Sequence, residues 1–212
     1  MPSRTDRSSG YEEVAKSFAA RRGASAVGLG TIQRWATQLP AGARVLDLGC
    51  GSGEPIAVEL NRLGCRVAGI DASPTLIAAF HRRLSDAPWA CEAVEDSRFF
   101  GSTFDAILAV GLLFLLPETA QKTLIGKVGD ALEPDGHFLF TAPREACEWV
   151  DVLTGRKSVS LGAGGYKGLL HRSGLDVVES HVDEGENHYF ACRKKGPRIA
   201  SATSAFAGGR NA

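Results

Sequence analysis

The run Val45-Leu46-Asp47-Leu48-Gly49-Cys50-Gly51-Ser52-Gly53-Glu54-Pro55 constrains this chain more than any other stretch. Apolar residues meet an acid, and alternating glycines follow. Such a run reads as a buried strand, a tight turn and a helix. Glycine supplies positive φ and leaves no Cβ where the backbone must approach a ligand closely. Proline suits the first turn of a helix, where its missing N–H would lack a partner anyway. The turn is therefore a candidate nucleotide-binding loop. A dinucleotide fingerprint reads G-x-G-x-x-G and sets a pyrophosphate against the helix N-terminus. Here the spacing is Asp47-x-Gly49-x-Gly51-x-Gly53, with Glu54 directly behind, and two carboxylates would repel a pyrophosphate. They favour a ligand that carries an ammonium group and no phosphate.

The segments downstream repeat the theme of a strand ending in an acid. Cys65-Arg66-Val67-Ala68-Gly69-Ile70-Asp71 is a second apolar strand. Its acid falls roughly 20 residues after the glycine loop, the spacing of a ribose-binding carboxylate. Asp71, with Ala72 beside it, is expected to face both ribose hydroxyls. Ser73-Pro74 opens a helix, serine as the cap and proline in the first turn. Its apolar face runs through Leu76, Ile77 and Phe80 to about residue 84. Residues 89–94 predict a third short strand followed by Glu95-Asp96-Ser97, and residues 104–110 a fourth that ends at Val110. Pro134-Asp135-Gly136 is a turn by its chemistry. Residues 54–63, 117–132 and 166–172 read as helices between strands. This alternation predicts a doubly wound α/β fold, a mostly parallel sheet with helices on both faces. Residues 175–182 and 187–193 read as a terminal hairpin.

From Val45 to Thr141 these segments, in this order, resemble the class I (Rossmann-like) S-adenosylmethionine-dependent methyltransferases. The acid and glycine loop match motif I; residues 104–110 resemble motif II; residues 132–141 resemble the motif III turn and strand. The resemblance implies a seven-stranded sheet with an antiparallel last strand, and S-adenosyl-L-methionine as cofactor. It implies cofactor binding by Asp47, Gly49, Cys50, Gly51, Gly53, Asp71, Ala72 and Val110. One of Glu95 and Asp96, with Glu92 as a further candidate, would hold the adenine amine. In Cys50 the sequence alone favours small-residue packing over thiol chemistry.

Composition narrows the partners. Lys plus Arg and Asp plus Glu number 24 each in 212 residues, so no global field draws the chain to nucleic acid or membrane. A polybasic aromatic face is absent, as is the Asn/Asp-Pro-Pro-aromatic signature of amino-methylating nucleic-acid enzymes. The expected partner is a small-molecule acceptor. No apolar stretch reaches transmembrane length, and the polar N-terminus lacks the apolar core of a secretion signal. Five cysteines without C-x-x-C spacing argue for reduced thiols in a cytoplasm and against a zinc site. Residues 11–193 are expected to form one domain, a helical cap over 11–40 on a Rossmann-like core over 43–193. Residues 1–10 and 194–212 are expected to be loose.

Acceptor-side candidates come from additions to the core. Tyr11 and Phe18 share one helix face; Leu113 and Phe114 follow the fourth strand; Trp149 and Arg156 lie in a long polar connection over 142–165. Methyl transfer is an in-line displacement that relies on alignment and exclusion of water. A hydroxyl or ammonium acceptor would need a base, for which His188 is the leading histidine, ahead of His137 and His171. Two alternatives keep the fold: a binder of S-adenosylmethionine without transfer, and an NAD-dependent oxidoreductase, which the glycine spacing disfavours.

Overall fold

The computed structural model describes residues 6–196. The looseness expected of residues 1–5 and 197–212 falls outside the described residues. Two helices, α1 (Tyr11–Gly23) and α2 (Leu29–Ala36), precede the sheet. Strands and helices then alternate as β1 (Arg44–Leu48), α3 (Ile56–Arg62), β2 (Arg66–Asp71), α4 (Pro74–Arg83), β3 (Trp89–Cys91) and β4 (Phe104–Ala109). They continue as α5 (Glu118–Ala131), β5 (Leu132–Thr141), a hairpin of β6 (Ala146–Val150) and β7 (Lys157–Leu161), α6 (Gly162–Arg172), β8 (Leu175–Val182) and β9 (His188–Lys194).

The seven-stranded sheet has the order β3-β2-β1-β4-β5-β9-β8. Neighbours from β3 to β5 pair in parallel, and β9 runs antiparallel to both β5 and β8. The last strand is therefore the reversed one. Alternate residues of each buried strand point to opposite faces. Val45, Val67 and Leu108 pack with Trp35, Leu60 and Phe80 from α2, α3 and α4. Leu46, Ile70 and Ile107 pack with Leu124, Val128 and Tyr166 from α5 and α6. After β1 the chain winds outward to β2 and β3, then crosses back to β4 on the other side of β1. Loops at the carboxyl ends of β1 and β4 diverge there, which opens a crevice for a ligand.

Four expectations are corrected. The third strand stops at Cys91 rather than residue 94, because Asp96 and Ser97 donate their N–H groups back to the Ala93 carbonyl and close a turn. The connection over 142–165 is largely the β6–β7 hairpin. Its inward positions are serines, Ser158 and Ser160, so no apolar alternation marked it. α6 begins at Gly162 rather than Tyr166; glycines are poor helix formers, but packing on α5 and the hairpin overrides propensity. Buried Gln121 ties these parts: it accepts from the Tyr166 hydroxyl at 2.8 Å and donates to the carbonyls of Leu116 and Val159 at 2.9 Å. The ends are also better held than expected. Asp6 accepts from the N–H groups of Ser8 at 2.9 Å and Gly10 at 2.8 Å, and Lys194 closes β9 opposite Leu175.

Candidate functional site

A cavity of about 480 Å³ opens at the carboxyl edge of the sheet, within the size range of small-molecule sites. Its floor is the glycine loop. Gly49 and Gly51 line it with φ of 69° and 56°, a conformation that side chains rarely adopt. A Cβ on Gly49 would press on Leu112 at 3.0 Å. The loop is tied to the next strand, since Gly49 and Cys50 donate to the Ile70 carbonyl at 2.8 and 3.1 Å. Asp71 stands at the end of β2 on the cavity wall. One carboxylate oxygen accepts from Gly51 N–H at 2.9 Å and the other from Ser73 N–H at 2.8 Å. Burial, opposed by these two bonds, pushes its pKa up to about 6.

Asp47, near the end of β1, is only 3% exposed and is not among the residues lining the cavity, and its carboxyl makes no hydrogen bond among the described residues. Burial, helped by the charge of Asp71 and opposed by Arg22, pushes it up to about 8. A buried, unbonded carboxyl wants a cation or a donor. That need suits a ligand with an ammonium group.

The first helix forms the cover. Glu12 accepts from the Ser73 hydroxyl, from Thr75 N–H at 3.1 Å and from the Thr75 hydroxyl at 2.6 Å, which pins α1 to the start of α4. Tyr11 and Phe18, edge to face at 5.0 Å, thereby reach the cavity, with Phe18 above Gly51. Burial, reinforced by the charge of Asp151, pushes the Tyr11 phenol up to about 12. Arg22 from the same helix also lines the cavity and donates to the Val27 carbonyl at 3.1 Å.

Among the expected residues, Gly49, Gly51, Asp71, Ala72, Val110, Tyr11, Phe18 and Phe114 come together on this wall. Others do not. Cys50 and Gly53 face the packed interior, Cys50 toward Gly69 and Gly53 toward Phe80. Glu95 and Asp96 turn away to bind Arg7 at 2.9 and 2.8 Å, and Glu92 is exposed off the wall; Ala93 and Val94 meet the cavity instead. Leu113 is 0% exposed and belongs to the core beneath the loop. Arg156 lies off the wall and pairs with Asp6 at 3.5 Å and Glu13 at 3.8 Å. Trp149 packs on Phe114 with ring centroids 5.4 Å apart. The two rings border an adjoining cleft that also holds His188 and meets the cavity at Phe114, Thr141 and Asn187. His188 shares a 2.9 Å hydrogen bond with Ser180, and burial and nearby Arg144 lower its pKa. His137 and His171 lie away from this edge, within β5 opposite Ala106 and on α6.

Sequence reasoning missed Thr141, Asn187, Tyr189 and the role of Asp151 on the wall. Thr141 accepts from Gly111 N–H at 2.7 Å and shapes the loop after β4. Tyr189 and Asn187 arrive only because β9 inserts beside β5. The one local signal was Asp151, whose spacing to Thr154 suits a side-chain-capped turn.

Comparisons with known proteins point to methyltransferases. A family model described as "Methyltransferase domain" matches residues 45–136. A ubiquinone biosynthesis O-methyltransferase from Xanthomonas axonopodis pv. citri is 32% identical over 127 residues, 57% of this chain and 52% of that protein. An uncharacterized methyltransferase from Synechocystis is 26% identical over 156 residues, 68% of this chain and 72% of the other. The chain thus spans about half the length of the first relative. Among solved structures, a TehB-like S-adenosylmethionine-dependent methyltransferase from Corynebacterium glutamicum superposes with a TM-score of 0.65 at 21% identity, over 88% of this chain and 97% of that one. An amino pentose methyltransferase from Micromonospora echinaspora superposes with a TM-score of 0.67 at 15% identity, over 86% and 97%.

Proposed function

We propose that this chain is a class I S-adenosylmethionine-dependent methyltransferase and transfers a methyl group from that cofactor to a small-molecule acceptor. The observation that carries the reading is the cavity itself: a glycine floor a Cβ would fill, a buried unbonded Asp47 on the strand that leads into it, and Asp71 at the next strand end. These residues fit the cofactor. Asp71 would hold the ribose hydroxyls, Asp47 the ammonium end, and Ala93, Val94 and Leu76 the adenine faces. Glu95 and Asp96 would then act through the Arg7 strap rather than by touching the base. When bound, S-adenosylmethionine supplies an electrophilic methyl on a sulfonium.

The chain's own contribution is orientation and dryness. Tyr11 and Phe18 roof the loop, while Phe114 and Thr141 join the cavity to the adjoining cleft, where an acceptor would lie in line with the methyl group. Relatives and neighbours named for ubiquinone biosynthesis, an amino pentose and 1,6-didemethyltoxoflavin support a small acceptor. Free cysteines suit a reducing cytoplasm, and no helix among the described residues is long and apolar enough to cross a membrane. The test is transfer of label from methyl-tritiated S-adenosylmethionine to the small-molecule fraction of a bacterial extract. Label retained wholly by the donor, with cofactor bound, would favour the binder reading.

A further inference from the structure

We propose that Asp151 anchors the methyl acceptor in the cavity and that the group it takes is an ammonium, so that the acceptor is an aromatic or otherwise flat amine. The inference deepens the methyl-transfer reading of the cavity and rests on it.

The other charged side chains on the cavity wall are already engaged. Arg7 on the wall is paired with Glu95 and Asp96. Both oxygens of Asp71 accept backbone N–H groups. Arg22 donates to a carbonyl and faces the charges of Asp47 and Asp183. Asp151 is different. It is buried at 9% exposure, and a single oxygen, Oδ1, accepts from Leu153 N–H at 3.0 Å, Thr154 N–H at 2.9 Å and the Thr154 hydroxyl at 3.0 Å. Oδ2 receives no hydrogen bond among the described residues. The main chain of the residue is fixed as well, Asp151 N–H donating to Arg156 and Gly155 N–H donating to Asp151, both at 2.8 Å. One oxygen clamps the turn, the other takes no part in the clamp, and the residue lines the cavity.

The cavity wall that Asp151 shares is aromatic. The Tyr11 phenol feels its charge, Phe18 lies edge-on to Tyr11, and Phe114 continues the wall toward Trp149. A carboxylate beside ring faces is a setting for an ammonium, which gains a charge-assisted hydrogen bond and cation–π contact together. The nearby cations are engaged elsewhere: Arg156 on the same turn pairs with Asp6 and Glu13, and the Arg21 guanidinium donates to the Ser17 carbonyl at 3.4 Å.

The clamp also supplies its own control. Asp151→Asn keeps an amide oxygen to accept the three turn bonds and changes only the free position from acceptor to donor. The protein is first saturated with S-adenosylhomocysteine, then titrated calorimetrically with three isosteric probes: phenethylamine, 2-phenylethanol and 3-phenylpropionate. Phenethylamine is expected to bind at least tenfold more tightly than the other two, and to lose at least tenfold in Asp151→Asn while S-adenosylhomocysteine affinity and Tm hold. Equal affinities, preference for the alcohol or the acid, no amine binding at millimolar concentration, or an unchanged amine affinity in Asp151→Asn overturns the proposal. Failure of S-adenosylhomocysteine to bind overturns the methyl-transfer reading instead.

Discussion

Asp47 and Asp71 stand at the carboxyl ends of adjacent parallel strands and are stripped of water together; burial raises both carboxyls, the charge of Asp71 adds to the rise at Asp47, and Glu12 adds to the rise at Asp71. With Asp47 near 8, its carboxyl is largely protonated at neutral pH in the empty protein. A ligand ammonium binds the ionised form, so affinity for S-adenosylhomocysteine should rise from pH 6 to 8 and then level, with proton release on binding near pH 7. Calorimetry in buffers of different ionisation enthalpy reads both, and a flat profile from pH 6 to 9 would sink the Asp47 assignment. The folding consequence has the opposite sign. A carboxyl whose folded pKa is raised binds protons more tightly when folded, so this group makes stability fall as pH climbs from about 4 to about 8. Asp71 has two tasks, since it binds the loop amide of Gly51 as well as facing the cavity. Hydrogen bonds to charged groups contribute about 1.5–3 kcal/mol each. Asp71→Ala should therefore weaken S-adenosylhomocysteine by roughly ten- to a hundredfold and lower Tm by several degrees. Unchanged affinity in the folded variant counts against it.

Neighbouring residues in one element divide the labour between core and wall. Leu113 is fully buried, whereas Phe114 beside it is partly exposed between the cavity and Trp149. Leu113→Ala should cost about 2–5 kcal/mol of stability, the range for emptied core sites. Phe114→Ala should cost less, leave S-adenosylhomocysteine within about threefold, and weaken acceptor-side probes. A Tm for Phe114→Ala as low as that of Leu113→Ala would return Phe114 to the core. The turn over 93–97 is held from outside by α5. Lys127 donates to the carbonyls of Val94 at 3.1 Å and Glu95 at 3.0 Å, and its charge lies over the Phe99 ring at 4.8 Å. Lys127→Met removes these bonds without removing the packing stem. It should weaken adenosine-bearing ligands several-fold, readable by the same calorimetry, and unaltered binding would show that the turn holds its shape unaided.

At the scale of the molecule, ligand binding should appear as stability. S-adenosylhomocysteine at a hundred times its Kd adds about 2.7 kcal/mol, a Tm rise of roughly 5–10 °C for a domain of this size. NAD should add nothing, because its pyrophosphate would be desolvated beside the Asp47 and Asp71 carboxyls. A shift with NAD and none with the sulfur ligand would reverse the cofactor choice. The cover contributes here as well: α1 is pinned by Glu12 to Ser73 and Thr75, so a filled cavity is bounded by sheet loops below and helix above.

The sheet winding and the glycine-loop side of the cavity were legible in the sequence, because both are written locally. Apolar runs that end in Asp47 and Asp71, a glycine loop and a Ser73-Pro74 cap each act within a few residues of themselves. The remaining wall of the cavity was placed by packing across the fold. Tyr189 and Asn187 reach the cavity through insertion of β9 beside β5, and Asp151 through a hairpin whose buried positions are serines. Leu113 and Phe114 look alike in sequence and part company only when the loop folds over the core. Such contacts join residues far apart in the chain, so no local pattern encodes them; packing places them.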